Sequence, residues 1–467
     1  MNQIQEKALL ISDETFSYVE HRLILEQRLS HIKKDYGLFF TPEWVVKFMV
    51  NLIDFKLLED RSKTGEDIRI LEPACGLGQF LNAIKDSYRL IAQKARFIGV
   101  EINQDVLDYL KTFSIGVGIE LINCDYLLWE TKEKFDLIIG NPPYGIPSPS
   151  DHYSIKVNTA TRRKYRSLFE TWYGKYNVYG AFIEKSIKLL KPGGQLIFIV
   201  PSTFMILDEF KKLRKFIAKN GGLAIVYLGS DVFKPEADVS VSVINFIKSD
   251  KFIGRVELLD LTPDDIKTVK VISSWNGEVI TFETELTQKL KKLCSYKLGD
   301  IYEVKISPRT PEIKNNPYIA THPKDRQFYL PVLNGKNLKC GEIIYENLTG
   351  YWIKTSELEK FPRYFAEPHV VVGLGFRENG NVAAAYDSKC YPWMGDVYHL
   401  LRKNETLFQN FDMSDGELVD YLNSDYVKHY IKDTYRDITY HLNITMLKNL
   451  PVPNRKEWAK IRKEIAL

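Results

Sequence analysis

Between residues 67 and about 248 the chain alternates short apolar runs with longer stretches in which apolar positions recur every three or four residues. The runs at 68–71, 97–100, 120–122, 137–139, 195–200, 223–227 and 242–246 are bounded by Gly, Pro, Asn or Asp and read as strands. Residues 78–94, 104–112, 178–190 and 208–219 carry the helical period, the last closed by Asn220-Gly221-Gly222 as a C-cap signal. Strand and helix in alternation predict an α/β domain: a largely parallel, doubly wound Rossmann-like sheet with helices on both faces. Residues 1–35 form one charged amphipathic stretch, expected as a helical extension, so the α/β domain is set at 36–250. Residues 251–320 are mixed, carry no motif and read as a connecting region. From about residue 327 the pattern becomes short, aromatic-rich and β-leaning, with Gly and Asn turns, and a helical stretch follows near 417–432. A second, α+β domain is therefore expected over 321–467.

Length and composition agree with this division. A chain of 467 residues has room for two or three cores, and 45% hydrophobic with 27% charged residues is the balance of a water-soluble globular protein. The net charge of +4 demands no polyanionic partner, so any nucleic-acid surface must be a local patch. One such patch lies at 151–175, where Lys156, Arg162, Arg163, Lys164, Arg166 and Lys175 face only Asp151 and Glu170. Basic loops are commonly plain solvated surface; the position of this one beside the chemistry below admits phosphate contact. Cys75, Cys124, Cys294, Cys340 and Cys390 are scattered without a Cys-x-x-Cys pair, which suggests neither a metal site nor a disulfide framework. The polar opening and the lack of any run near ~20 apolar residues lead to the expectation of a cytosolic protein.

The chemistry collects at strand ends, where open α/β sheets bind ligands. The run at 135–140 stops at Asn141-Pro142-Pro143-Tyr144, and two prolines hold an amide, a carbonyl and an aromatic face at that edge. Such groups suit a planar ring bearing an exocyclic amino group, although a rigid turn alone would explain them too. Upstream, Glu72-Pro73-Ala74-Cys75-Gly76-Leu77-Gly78 follows the first strand, and its glycines let a ligand approach the backbone. The second strand ends at Glu101, 29 residues after Glu72, where a carboxylate can hold a ribose diol. The third leads into Asp125-Tyr126, an acid for an amino group beside an aromatic for a ring. Leu81 stands where a dinucleotide fingerprint needs its last glycine. A nucleoside with a charged amino-acid tail fits better, and S-adenosylmethionine is such a ligand. Each acid alone could simply cap a helix.

In this order the motifs resemble the amino-methylating DNA methyltransferases, most closely the γ class of TaqI type. Gly37-Leu38-Phe39-Phe40-Thr41-Pro42 occupies the place of that class's first motif, and Lys175-Tyr176-Asn177-Val178-Tyr179-Gly180-Ala181-Phe182, Leu190-Lys191-Pro192-Gly193-Gly194 and Tyr227-Leu228-Gly229-Ser230-Asp231-Val232-Phe233 are similar to later ones. In the second domain Pro331-Val332-Leu333-Asn334-Gly335-Lys336-Asn337-Leu338, Ala385-Tyr386-Asp387, Tyr391-Pro392-Trp393 and the segment 422–452 resemble its target-recognition domain. The resemblance covers about 36–250 and 327–453. It implies methyl transfer from S-adenosylmethionine to N6 of an adenine flipped out of double-stranded DNA, with Asn141 and Pro142 as acceptors and Tyr144 and Phe233 as stacking partners. It implies cofactor contacts at Thr41, Glu72, Ala74, Gly76, Glu101, Asp125, Tyr126, Pro143 and Phe182. DNA contacts are expected from Arg162, Arg163, Lys164, Lys336, Asn337, Arg436 and Asn443. It further implies a monomer paired with a separate cognate restriction endonuclease, with the adenine of TCGA or a related short palindrome as first target, although residues 373–381 depart from the family's pattern.

Other acceptors stay open. The same tetrapeptide serves methyltransferases acting on a protein glutamine, but those resemble only the catalytic half. RNA adenine is barely separable from DNA on sequence. Cytosine N4 is chemically close, though that branch more often carries Ser at the position of Asn141. A nuclease fusion would need a further domain, and a non-catalytic DNA-binding module would show broken motifs.

Overall fold

The computed structural model describes residues 40–112, 117–149, 155–261, 266–376, 380–403, 411–439 and 441–465. They divide into two compact units, one ending at Ile280 and the other beginning at Thr281. The extension expected at 1–35 lies outside the described residues.

The first unit opens with α1 (Glu43–Asn51) and α2 (Phe55–Lys63) and continues as β1 (Ile68–Pro73), α3 (Gln79–Ser87), α4 (Arg89–Lys94), β2 (Ala95–Glu101), α5 (Gln104–Thr112), β3 (Ile119–Asn123) and β4 (Phe135–Gly140). It proceeds through α6 (Thr159–Leu168), α7 (Val178–Leu189), β5 (Leu190–Pro201), α8 (Lys211–Asn220), β6 (Gly222–Gly229), β7 (Val241–Ile247), β8 (Val256–Leu261) and β9 (Ile266–Ile272). The nine strands make one sheet in the order β3-β2-β1-β4-β5-β7-β6-β8-β9. The first five run parallel, so the carboxyl ends of β1, β2, β3 and β4 share one edge. Parallel strands must be buried on both faces. Ile70, Leu137, Ile139, Ile197 and Ile199 face one way and pack with Val45 and Met49 of α1 and Phe80 and Ile84 of α3. The intervening Leu71, Ile138, Leu196 and Phe198 are equally buried and by strand alternation face the other way.

At the opposite edge, where β1 and β4 begin, the buried Asp136 carboxylate binds Arg61 and accepts from Lys191 Nζ at 2.8 Å and from Arg69 N at 2.9 Å. This network ties α2 and the start of β5 to the base of the sheet, away from the strand ends that carry the chemistry.

All seven strands read from the pattern are present. Four features differ. The stretch 78–94 breaks at Tyr88 into α3 and α4, and 208–219 opens with a 3-10 turn at Asp208–Phe210 before α8. β7 runs antiparallel to both β5 and β6, inserted between them, so the sheet is mixed. Residues 251–320 are shared between the units: β8 joins beside β6, β9 pairs with β8, and the remainder from Thr281 belongs to the second unit. The edge strand β9 escaped the pattern because Lys267, Thr268 and Lys270 break its apolar run, the first two of them exposed; lysines on an edge strand block further strand pairing.

The second unit is α+β. After α9 (Glu285–Leu293), strands β10 (Tyr302–Ile306), β11 (His369–Gly373), β12 (Ala384–Asp387) and β13 (Val397–Arg402) form an antiparallel sheet in the order β10-β13-β11-β12, followed by α10 (Asp415–Leu422) and α11 (Asp425–Tyr435). The helical stretch expected near 417–432 is thus two helices parted at Asn423-Ser424. Asp387 anchors the core by accepting from Trp393 Nε1 at 2.8 Å and Tyr345 Oη at 3.0 Å. A buried relay crosses this sheet. His369 Nδ1 donates to Glu367 O (2.7 Å), a carbonyl that can only accept, while His369 Nε2 shares a hydrogen bond with His399 Nδ1 (2.8 Å) and His399 Nε2 shares one with the Ser307 hydroxyl (2.8 Å). Burial, with His369 alongside, holds the His399 imidazole well below its ordinary pKa. Among the described residues no helix is long and apolar enough to cross a membrane.

Candidate active site

Four adjacent strand ends build one pocket. β1 delivers Glu72, 2% exposed, whose Oε2 accepts from Leu81 N at 3.2 Å in the first turn of α3. The turn that follows is left-handed at Ala74 (φ 64°), Gly76 (φ 50°) and Gly78 (φ 65°). A Cβ placed on Gly76 would meet no protein atom within 4 Å. That turn therefore borders open space at the pocket wall, where a ligand can lie against backbone.

β2 ends at Glu101, also 2% exposed, whose Oε2 accepts from Gly76 N (3.0 Å) and Oε1 from Asn103 N (2.9 Å). Burial raises the pKa of both carboxyls, Glu72 most strongly, and the N–H groups bonded to each oppose that rise; Glu101 also raises Glu72 by repulsion. Two buried acids in an apolar pocket favour a cationic guest.

β3 leads to Asp125. Its Oδ1 accepts from Leu127 N (2.9 Å) and its Oδ2 from the Tyr165 hydroxyl (2.6 Å). Tyr126, 3% exposed, bonds through its hydroxyl to Ser186 Oγ (2.9 Å) and packs its ring 5.0 Å from Phe182. Beneath this turn Lys185 Nζ donates to the carbonyls of Tyr126 and Trp129, and burial pulls its amine down to about 8.

β4 ends at Asn141. Its amide Nδ2 donates to Thr41 Oγ1 at 3.1 Å, which sets the direction of the side-chain oxygen. Pro142 and Pro143 line the same pocket. The Tyr144 hydroxyl donates to Ile199 O on β5 (3.0 Å), and the backbone turns out through Gly145, whose N–H donates to Asn177 Oδ1 (2.9 Å). Phe233, 3% exposed, meets Tyr144 edge to face, with centroids 6.2 Å apart and planes at 76°. The two rings therefore do not present parallel faces, and a base held between both requires one ring to turn.

Thr41, Glu72, Ala74, Gly76, Glu101, Asp125, Tyr126, Asn141, Pro142, Pro143 and Phe182 thus converge on one pocket, with Tyr144 and Phe233 packed beside it. Thr41 reaches it as the support of Asn141. Arg162, Arg163 and Lys164 are exposed on α6. In the second unit Lys336 is exposed, and Arg436, in the left-handed region at φ 47°, stacks 3.8 Å over Phe282. One expected DNA contact, Asn337, has structural work instead, and a second, Asn443, has a structural role through its side-chain oxygen. Asn337 is fully buried, donating to Ile344 O (2.7 Å) and Glu346 O (2.8 Å) and accepting from Asn334 N (3.1 Å); Asn443 caps a helix by accepting from Met446 N (2.9 Å). Turn and capping roles are what a short amide side chain does best; the Asn337 amide, with both ends engaged, cannot also read a base, whereas Asn443 uses only its oxygen in the cap. The loop 373–381 lies partly outside the described residues.

Sequence reading missed Ile102, Tyr165 and the segment 155–157, all of which line the pocket. Ile102 had a signal, an apolar residue directly after the strand-end acid that stays 48% exposed. Tyr165 had a fainter one, a single aromatic among basic residues.

Comparison with known proteins gives the family. Residues 17–233 match the family described as Eco57I restriction-modification methylase, and residues 330–452 match the TaqI-like C-terminal specificity domain. The type II methyltransferase M.TthHB8I of Thermus thermophilus is 39% identical over 416 residues, covering 88% of this chain and 89% of that protein. M.HincII of Haemophilus influenzae is 30% identical over 230 residues, 48% of this chain and 39% of its own length. Among solved structures, the restriction-modification enzyme MmeI in complex with DNA aligns over 93% of this chain and 72% of its own, with a TM-score of 0.56 at 11% identity; at that identity the likeness is one of fold.

Proposed function

The chain belongs to the type II DNA methyltransferases of restriction–modification systems, and from that premise we propose that it methylates N6 of adenine in double-stranded DNA, using S-adenosylmethionine. The observation that carries this reading is the convergence of Asn141-Pro142-Pro143-Tyr144 with the acids of three neighbouring strands at one sheet edge. The pocket suits the cofactor. Buried carboxylates favour its cationic tail, the bare turn at Gly76 leaves room beside the backbone, and Glu101 and Asp125 are the groups to hold ribose hydroxyls and an adenine amino group. Tyr126, Phe182 and Ile102 offer apolar surface for its ring. Once bound, S-adenosylmethionine supplies an electrophilic methyl group on a sulfonium.

The remaining work falls to the chain. A stacked base cannot present its amino group to a buried pocket, so the adenine must be flipped out, at an expense of a few kcal/mol. Stacking on Tyr144 offsets part of this, at about 1–3 kcal/mol per base. The Asn141 side-chain oxygen and the Pro142 carbonyl accept the two N6 hydrogens, draw the nitrogen lone pair out of conjugation with the ring and aim it at the methyl carbon. This is catalysis by orientation. The methylated nitrogen sheds its proton readily, so a strong general base is not required. The reading includes a monomer acting beside a separate cognate endonuclease.

The test is transfer of labelled methyl from S-adenosylmethionine to unmethylated duplex DNA, wild type beside Asn141→Ala, with digestion to nucleosides. N6-methyladenine from the wild type, lost in the variant, is expected. Label in N4-methylcytosine, RNA or protein would overturn the acceptor while keeping the chemistry.

A further inference from the structure

Helix α6 is held to the domain in an unusual way. Arg162, Arg163, Lys164 and Arg166 are all exposed, Leu168 is 54% exposed, and Tyr165, 4% exposed, is the one buried residue of its ten. A ten-residue helix is marginal on its own in water, and one buried side chain is little apolar anchorage. Locally it has an N-cap, Asn158 Oδ1 accepting from Thr161 N at 2.8 Å. Its link to the body of the domain runs through Tyr165, whose ring lies 6.2 Å from Trp172 and whose hydroxyl donates to Asp125 Oδ2 at 2.6 Å. Burial and the Asp125 charge push that hydroxyl above the ordinary phenol range, so it remains a donor. Just before the helix, the backbone pairs Ser148 with Lys156, and residues 155–157 form part of the same pocket wall.

We propose that Tyr165 is a positioning residue that couples the cofactor pocket to DNA engagement by α6. Its inner end orients Asp125, the strand-end acid poised for the cofactor's amino group, while its neighbours on the outer face present four cations to phosphates. DNA held by those cations restrains the helix, the restrained helix holds Tyr165 on Asp125, and a fixed Asp125 receives the cofactor with less ordering left to do. By linkage, cofactor binding must tighten DNA by the same factor. The inference rests on the reading of the pocket as a S-adenosylmethionine site and of α6 as a DNA-facing element.

The test uses Tyr165→Phe, which keeps the ring and removes the hydroxyl, and Arg162→Gln/Arg163→Gln, which leaves the pocket intact. Binding of S-adenosylhomocysteine is measured by calorimetry with and without a duplex carrying a sequence that the wild type methylates. For the wild type, DNA is expected to tighten the ligand about tenfold, a typical coupling between linked sites. In Tyr165→Phe that factor falls to within about twofold of unity, and at saturating DNA the KM for S-adenosylmethionine rises while kcat changes little. The double Arg variant loses the same coupling along with DNA affinity. Equal coupling in wild type and Tyr165→Phe overturns the proposal. So does tighter ligand binding in Tyr165→Phe, the mark of a hydroxyl that competes with the cofactor for Asp125. A wild type that binds no S-adenosylhomocysteine overturns the reading of the pocket and the coupling with it, an outcome separable from the first two.

Discussion

Replacing Thr41 by Val exchanges a hydroxyl for a methyl of nearly the same size at a site that is 3% exposed. The lost group is the acceptor, 3.1 Å away, for the Asn141 amide nitrogen. Removing one partner of a buried hydrogen bond costs about 1–3 kcal/mol. Some of that will appear as lost stability. The larger consequence is that the Asn141 amide loses the acceptor that holds its nitrogen end toward Thr41, and a flipped amide offers N–H to an amino group that itself donates. If the full amount is felt in the transition state, the chemical step slows by about 5- to 150-fold, at about 1.36 kcal/mol per tenfold. The assay is single-turnover methyl transfer with enzyme, cofactor and DNA all above saturation, so that product release does not hide the step. Thr41→Ser, which keeps the acceptor, should recover most of the rate. A Val variant with a rate within about twofold of wild type and a raised KM for S-adenosylmethionine would refute this argument, since that split marks a residue that grips the cofactor equally in ground and transition states.

At the other end of the sheet, Asp136→Asn removes a carboxylate with 0% side-chain exposure from between Arg61 (14%) and Lys191 (20%). Breaking a buried ion pair costs about 3–5 kcal/mol, which for a domain of this size lowers the melting temperature by about 6–20 °C. Methyl transfer well below that temperature should survive, because the network sits at the strand starts; an unchanged melt, or early loss of activity in a folded variant, would contradict this. Cofactor affinity should fall as pH falls. Burial raises Glu72 and Glu101, a cationic ligand favours their ionised forms, so binding releases protons and protonation opposes it. Calorimetric titration from about pH 8 to about pH 5.5 should show weakening of up to about tenfold per unit for one linked proton, and a flat profile would sink the assignment of these acids to a cation site.

The first seven strands, four helical stretches of the first unit and the run of acids leading to Asn141 were legible in the chain because each rests on a local rule. A strand buried on both faces must be a continuous apolar run, and a parallel sheet must present its functional groups where strands end. Those two rules need no knowledge of partners. Periodicity marks which face is buried but does not name what it is buried against, and there the tertiary structure decided. Thr41 supports Asn141 across 100 residues of chain, and Tyr165 reaches Asp125 across 40. Lys185 clamps the carbonyls under Tyr126, the antiparallel β7 enters between β5 and β6, and Asn337 turns inward to hold a loop. A hydroxyl, an amide or an amine looks the same in sequence whether it meets solvent, DNA or a buried carbonyl. Only when distant segments pack does its hydrogen-bonding capacity have to be satisfied, and the partner it then finds determines whether it reads, positions or merely holds.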